Sequence, residues 1–171
     1  MSSPISLQCL EDADGLSALR AALIQVAEDS LFAYAESCGM DRFAALLADR
    51  DPAEPWLSAS IAFRGSFEGT AVVLLPHALA VGLCASFCGL PVQDLDDKQV
   101  ADFAGELANM TCGLWLTHTQ RFQRFDLGPP RVRSVSMPAP KDGAASVRSG
   151  VVIADVPLGL DLRPGAVPEG D

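Results

Sequence analysis

The chain has 171 residues, with 22 Asp and Glu against 12 Lys and Arg, for a net charge of −10. That charge argues against partners held through a nucleic-acid backbone or anionic lipid, because a negative surface repels both. Hydrophobic residues at 49% and charged residues at 20% allow one core of ordinary domain size and exclude wholesale disorder.

Residues 1–13 are polar and unpatterned and read as a flexible N-terminus. No basic or apolar leader pattern is visible at Met1–Pro4, and five cysteines, an odd number, fit a reduced cytoplasmic chain better than a disulfide framework. From Asp14, placed as an N-cap, Leu16, Leu19, Leu23, Val26, Ala27 and Leu31 keep the spacing of one helical face. This predicts a helix from Asp14 to Cys38, stopped by Gly39, and then a short helix over 40–49. Asp51-Pro52-Ala53-Glu54-Pro55 predicts a loop.

Leu57, Ala59, Ile61 and Phe63 alternate with Ser58, Ser60, Ala62 and Arg64, the period of a strand. Gly65-Ser66 turns the chain into a second strand, Phe67 to Leu75, so the two form a hairpin. Pro76 ends that strand, and His77 to Gly89 predicts a helix of aliphatic and small residues. The run from Gly69 to Gln93 holds no charged residue and is long enough to span a bilayer. Pro76 and His77 inside it, and acidic flanks at Glu68 and Asp94, argue against a membrane span. Asp96 and Gln99 have the spacing of a capping box and open a helix that continues to about His118. The last third returns to strands, marginally at 121–126, then at 131–136, 146–154 and 158–162, with a Pro/Gly/Ala loop over 137–145. The domain therefore covers 14–162, and 163–171, with Pro164, Gly165, Pro168 and Gly170, reads as a disordered tail.

Several chemistries are missing. There is no His-Glu-x-x-His, no Gly-x-x-x-x-Gly-Lys and no phosphate-binding Cys loop. Two histidines, His77 and His118, do not make a His-rich metal site. Cys84 and Cys88, one turn apart, read as small core side chains, and His77 as a capping or surface group. The helix opening at Asp97 differs. At 100° per residue Asp102, Glu106, Asn109 and Gly113 fall in one stripe, and Phe103, Leu107, Met110 and Leu114 in another. The second stripe is the core face. The first presents two carboxylates and a carboxamide, with Gly105 and Gly113 leaving room for approach. Asn109 is the one asparagine in the chain, at a helix-interior position where Asn is unfavourable by some tenths of a kcal/mol. On spacing alone, a solvated polar face is the better explanation of the stripe.

The segment Gly105-Glu106-Leu107-Ala108-Asn109-Met110-Thr111-Cys112-Gly113, with Asp102 before it and Pro129-Pro130 after it, resembles the signature of the CheC/CheX chemotaxis phosphatases. Phe67-Glu68-Gly69-Thr70 resembles the family's hairpin, and Gly150-Val151-Val152-Ile153 a late family strand. Ala108 and Cys112 depart from the residues relatives often carry there, Gly and Ala. One Asn permits one site, the CheX-like arrangement; in the first helix Glu28 is followed by Leu31 where an Asn would be needed. The resemblance implies an α+β fold, a mixed, largely antiparallel sheet with long helices packed on one face. It implies hydrolysis of the aspartyl-phosphate of a CheY-like response regulator, with Asn109 positioning the attacking water and Glu106 pairing with the regulator's active-site Lys. Asp102, Gly105 and Gly113 would then meet the partner. It further implies no cofactor or metal on this chain, Mg²⁺ supplied by the receiver, and a homodimer formed by joining sheets. A non-catalytic module that docks on a receiver or a flagellar-switch component is the alternative.

Overall fold

The computed structural model describes residues 13–119, 124–138 and 147–165. Helix α1 (Ala13–Ser30) buries Leu16, Leu19, Ala22, Leu23, Val26 and Ala27, the face read from the spacing. Asp14 lies in its first turn rather than capping it. The helix also ends at Ser30, not at Cys38. Phe32 takes a left-handed φ of 52°, and the N–H groups of Leu31 and Ala33 both donate to the Ala27 carbonyl, at 3.2 and 3.0 Å. After this reversal Ala35–Cys38 forms strand β1. It pairs with a strand from the far end of the chain, Ala35 opposite Ile153 and Cys38 opposite Gly150. Long-range pairing of this kind leaves no local periodicity, so the expected helix over 14–38 is corrected to helix, turn and strand.

Helix α2 (Met40–Ala48) follows. Strands β2 (Trp56–Arg64) and β3 (Glu68–Pro76) make the expected hairpin, in register from Trp56–Pro76 to Arg64–Glu68. Gly65 is required at its tip. A Cβ there would lie 2.5 Å from the Phe125 ring and 2.7 Å from the Arg124 carbonyl oxygen. Helix α3 (His77–Cys88) stops at Gly89, whose φ of 65° makes it a left-handed cap. His77 is half-buried at the start of α3, and its backbone N–H donates to Pro55 O at 2.9 Å. A 3₁₀ turn (Val92–Asp94) leads into helix α4 (Asp97–Thr119). Strands β4 (Asp126–Leu127), β5 (Arg131–Val135), β6 (Ser149–Ile153) and β7 (Val156–Pro164) complete the sheet.

The sheet runs β1-β6-β7-β3-β2-β4, with β5 also on β2. All of these pairings are antiparallel. Strands β4 and β5 lie end to end along one edge of β2, Leu127 opposite Phe63 and Val132 opposite Ala59. Pro129 and Pro130 separate them, since neither has an N–H to give to a ladder. Helices α1, α3 and α4 cover one face, around a core that includes Leu19, Leu23, Ile61, Leu75, Leu107, Leu158 and Leu160. Short α2 covers part of the other face, with Phe43 and Leu47 packed on Trp56, Val72, Leu74 and Val152. Thus the long helices share one face as expected, and a smaller second core sits behind the sheet. Arg163 and Pro164, expected in the tail, instead belong to β7 because they pair with Thr70 and Gly69 of β3. The expected flexible start, except Ala13, the rest of the tail from 166, the loop over 139–145 and the first residues of the marginal strand at 121–123 lie outside the described residues. No helix among the described residues is long and apolar enough to cross a membrane.

Candidate functional site

Helix α4 is set at both ends. At its start the capping box closes as its spacing demands. Gln99 N–H donates to Asp96 Oδ1 at 2.7 Å, and Asp96 N–H donates to Gln99 Oε1 at 2.9 Å. Leu95 is half-buried against the core, and Val100, one turn on, is buried. Near its end Trp115 joins an aromatic cluster with Phe63, Phe67 and Phe125, ring centroids 5.0–6.3 Å apart. Between these points Val100, Phe103, Ala104, Leu107, Ala108, Cys112, Trp115 and Leu116 are buried.

The buried face fixes what the opposite face presents. Asp102 and Glu106 are exposed, Asn109 and Gly113 half-exposed. Asn109 Nδ2 donates to Glu106 Oε2 at 3.5 Å, so the two side chains the spacing singled out share one surface patch. With the amide nitrogen turned toward Glu106, Asn109 Oδ1 remains an acceptor. Asp102 pairs with Lys98 one turn earlier, and that carboxylate raises the Lys98 ammonium above its usual range.

Gly105 has a different role from the one expected of it. It is buried, and a Cβ added there would lie 3.0 Å from Pro130 Cβ and 3.2 Å from Pro130 Cγ. Its missing side chain makes room for the protein's own proline rather than for a partner. Gly113 is looser, with Leu127 Cδ1 at 3.8 Å from the same hypothetical atom. Leu127 and Pro130 thus brace α4 on either side of Glu106 and Asn109. Sequence reading saw the glycines and the proline pair but had no means of joining Gly105 to Pro130.

No cluster of three or more His, Cys, Asp or Glu side chains suited to a metal occurs among the described residues. The buried thiols are poor nucleophiles. Burial pushes Cys112 up to about 12, and burial together with the neighbouring Cys88 raises Cys84 to about 11. Cys84 is a core residue as expected, but Cys88 is exposed, 3.9 Å away between sulfurs, because it falls on the outer side of the last turn of α3. Cys84 Sγ donates instead to the Gln99 carbonyl of α4, at 3.6 Å.

The family model described as chemotaxis phosphatase CheX matches residues 57–146, more than half of the chain. The chain belongs to the CheX family. No curated protein matches the sequence. Among solved structures, it resembles the CheX chemotaxis protein of Vibrio vulnificus with a TM-score of 0.62 at 18% identity, over 88% of this chain and 96% of that one. It resembles the CheX–CheY–BeF3–Mg²⁺ complex of Borrelia burgdorferi with a TM-score of 0.59 at 16% identity, over 89% and 99%. FliY of Thermotoga maritima is similar with a TM-score of 0.52 at 13% identity, over 90% and 91%. At these identities the likeness is one of fold. CheX family membership therefore rests on the sequence match, which includes the whole of α4, Pro129 and Pro130.

Proposed function

We propose that this CheX-family chain dephosphorylates a CheY-like receiver domain, with Glu106 and Asn109 as the working residues. The observation that carries this reading is their juxtaposition on the exposed face of α4, braced from behind by Pro130 and Leu127. Glu106 forms an ion pair with the receiver's active-site Lys and fixes where α4 sits over the phosphoryl group. The Asn109 carboxamide accepts a hydrogen bond from a water and holds it in line with phosphorus. The water oxygen bonds to phosphorus, the bond from phosphorus to the aspartyl oxygen breaks, and inorganic phosphate and a free carboxylate result. Mg²⁺ on the receiver neutralises charge on the phosphoryl oxygens. Ordering one water accounts for about 2–4 kcal/mol of barrier, about 10²- to 10³-fold in rate.

The surroundings of the site suit docking to a protein. Phe87, Leu90 and Val92 are exposed beside the start of α4, and the Phe87 ring lies 5.7 Å from that of Phe103. They offer apolar contact where a net charge of −10 gives no long-range attraction to an acidic partner. Gly113 and Asp102 belong to the rim of the same face. That the Borrelia burgdorferi relative forms a complex with CheY, BeF3 and Mg²⁺ supports the choice of partner.

The test mixes the purified chain with a phosphorylated receiver and Mg²⁺. The expected result is accelerated release of phosphate, abolished by Asn109→Ala while binding to the receiver persists. Binding with no acceleration would replace this reading with the docking-module alternative. An active Asn109→Ala variant would remove the mechanism.

We also propose that two copies join through the β1 edge. Its outer side has no partner strand among the described residues, and it follows Phe32 and Tyr34, which are 90% and 75% exposed. The opposite edge carries Arg131 and Arg133, which a two-fold pairing would bring against their own copies. Helix α4 packs on β2, β3 and β5, away from β1, so such a dimer leaves Glu106 and Asn109 open. A dimeric mass in solution that Tyr34→Asp lowers to the monomer is expected; an unchanged dimer would place the interface elsewhere.

A further inference from the structure

The face of the sheet turned away from α4 holds a cleft that the phosphatase reading leaves unused. Alternation places Ser60, Ala62 and Arg64 of β2 on this face, because Ala59, Ile61 and Phe63 point into the core under α4. In register beside them lie Thr70 on β3 and Arg131 on β5, and the Leu127–Pro129 segment closes one side. The cleft is open to solvent, and its volume of about 280 Å³ lies just below the usual range for small-molecule sites.

The polar groups of the cleft are unequally occupied. Arg64 lies 3.6 Å from Glu68, so a carboxylate already meets its charge. Arg131 has no carboxylate within ion-pair distance among the described residues, and neither has Arg133 two positions along the same strand face. Ser60 is committed, since its hydroxyl donates to the Arg131 carbonyl oxygen at 3.4 Å. The Thr70 hydroxyl has no hydrogen-bond partner among the described residues and is free to donate. Ala62 and Pro129 make an apolar wall. In an acidic chain, two adjacent guanidinium groups without carboxylate partners, one of them in a concave site, are a recognition feature for an oxyanion.

We propose that this cleft binds a small organic molecule carrying a single oxyanion, carboxylate or phosphate, on an apolar body. The oxyanion meets the Arg131 guanidinium and the Thr70 hydroxyl, and the body lies against Ala62 and Pro129. Asp126, also in the lining, repels a second anionic group and so restricts the ligand to one.

The experiment titrates the full chain at low salt with benzoate, phenyl phosphate and uncharged benzamide, following binding by amide chemical shifts. At least one of the two anions is expected to saturate with a dissociation constant of about 1 mM or below. The tighter of the two identifies the oxyanion, and benzamide is expected not to bind. Arg131→Gln should weaken the anion about tenfold or more. Thr70→Val should weaken it less, with both variants keeping the wild-type melting temperature. No saturation by either anion, equal binding of benzamide, or affinity unchanged by both substitutions would each overturn the proposal. The readout is binding to the free chain, so it is independent of whether any receiver is dephosphorylated.

Discussion

Helices α1 and α4 lie side by side on the same face of the sheet and bury similar apolar stripes. Each also exposes a polar stripe that includes a glutamate, Asp14, Ser17, Gln25 and Glu28 on α1, and Lys98, Asp102 and Glu106 on α4. The difference lies three residues after the glutamate. Helix α4 runs on from Glu106 to Thr119, so Asn109 stays in helical register beside it. Helix α1 ends at Ser30, and Leu31, three after Glu28, turns into the core at 5% exposure. A paired site on a helix face thus needs helix beyond its last member, as well as the right residue types.

The largest expected effect breaks this pair most directly. Asn109→Ala should lower receiver dephosphorylation by about 10²- to 10³-fold, and Glu106→Ala should weaken receiver binding by about 10- to 100-fold. Glu28→Ala, on the matching face of α1, should change neither. Phosphate release and receiver binding measured on the three variants decide it, and a loss of either in Glu28→Ala would mean that α1 also works.

The buried faces differ next. The buried face of α1 is aliphatic, whereas α4 buries Cys112, whose thiol is pushed up to about 12. An unfolded thiol titrates near 9, so the protonated form is favoured by folding. Its contribution is fully present below pH 9 and is lost as pH rises from 9 towards 12. For one proton the slope is about 1.4 kcal/mol per pH unit. Denaturation midpoints at pH 8 and pH 10.5 should show this fall in the wild type and a flatter profile in Cys112→Ala. The Cys84 thiol, at about 11, adds a smaller fall of the same sign.

The two glycines of α4 sharpen the comparison further. Gly105→Ala forces Pro130 away from α4 and should destabilise by about 1–3 kcal/mol despite the better helix propensity of Ala. Gly113→Ala has room and should stabilise by up to about 1 kcal/mol, while its methyl group hinders the receiver. Thermal melts separate the two. The smallest effect is at the helix start. Asp96→Ala removes the capping box and should cost about 1 kcal/mol in chemical denaturation, whereas Asp14→Ala, in the first turn of α1, should cost less.

The readable parts of this protein were those whose physics is local. The hairpin, the capping box of Asp96 and Gln99 and the two stripes of α4 all follow from periods of two or 3.6 residues and from side-chain chemistry within a turn. Glu106 and Asn109 could be placed together because a three-residue step in a continuous helix has one geometry. The misread parts depended on partners far along the chain. Strand β1 exists because Gly150–Ile153 pairs with it, and the reversal at Phe32 puts a large aromatic in a backbone conformation that sequence rules reserve for Gly or Asn.

By itself, then, the sequence determined an acidic α+β domain with one carboxylate–carboxamide pair on the open face of a capped helix. Only the tertiary structure decided how that helix is held. Pro130 fills the space left by Gly105, Leu127 rests near Gly113, and Phe125 anchors both in the aromatic cluster. The same segment turns its other side to the cleft lined by Arg131. Such contacts arise from packing between segments distant in sequence, where close fit rather than periodicity sets which atoms meet.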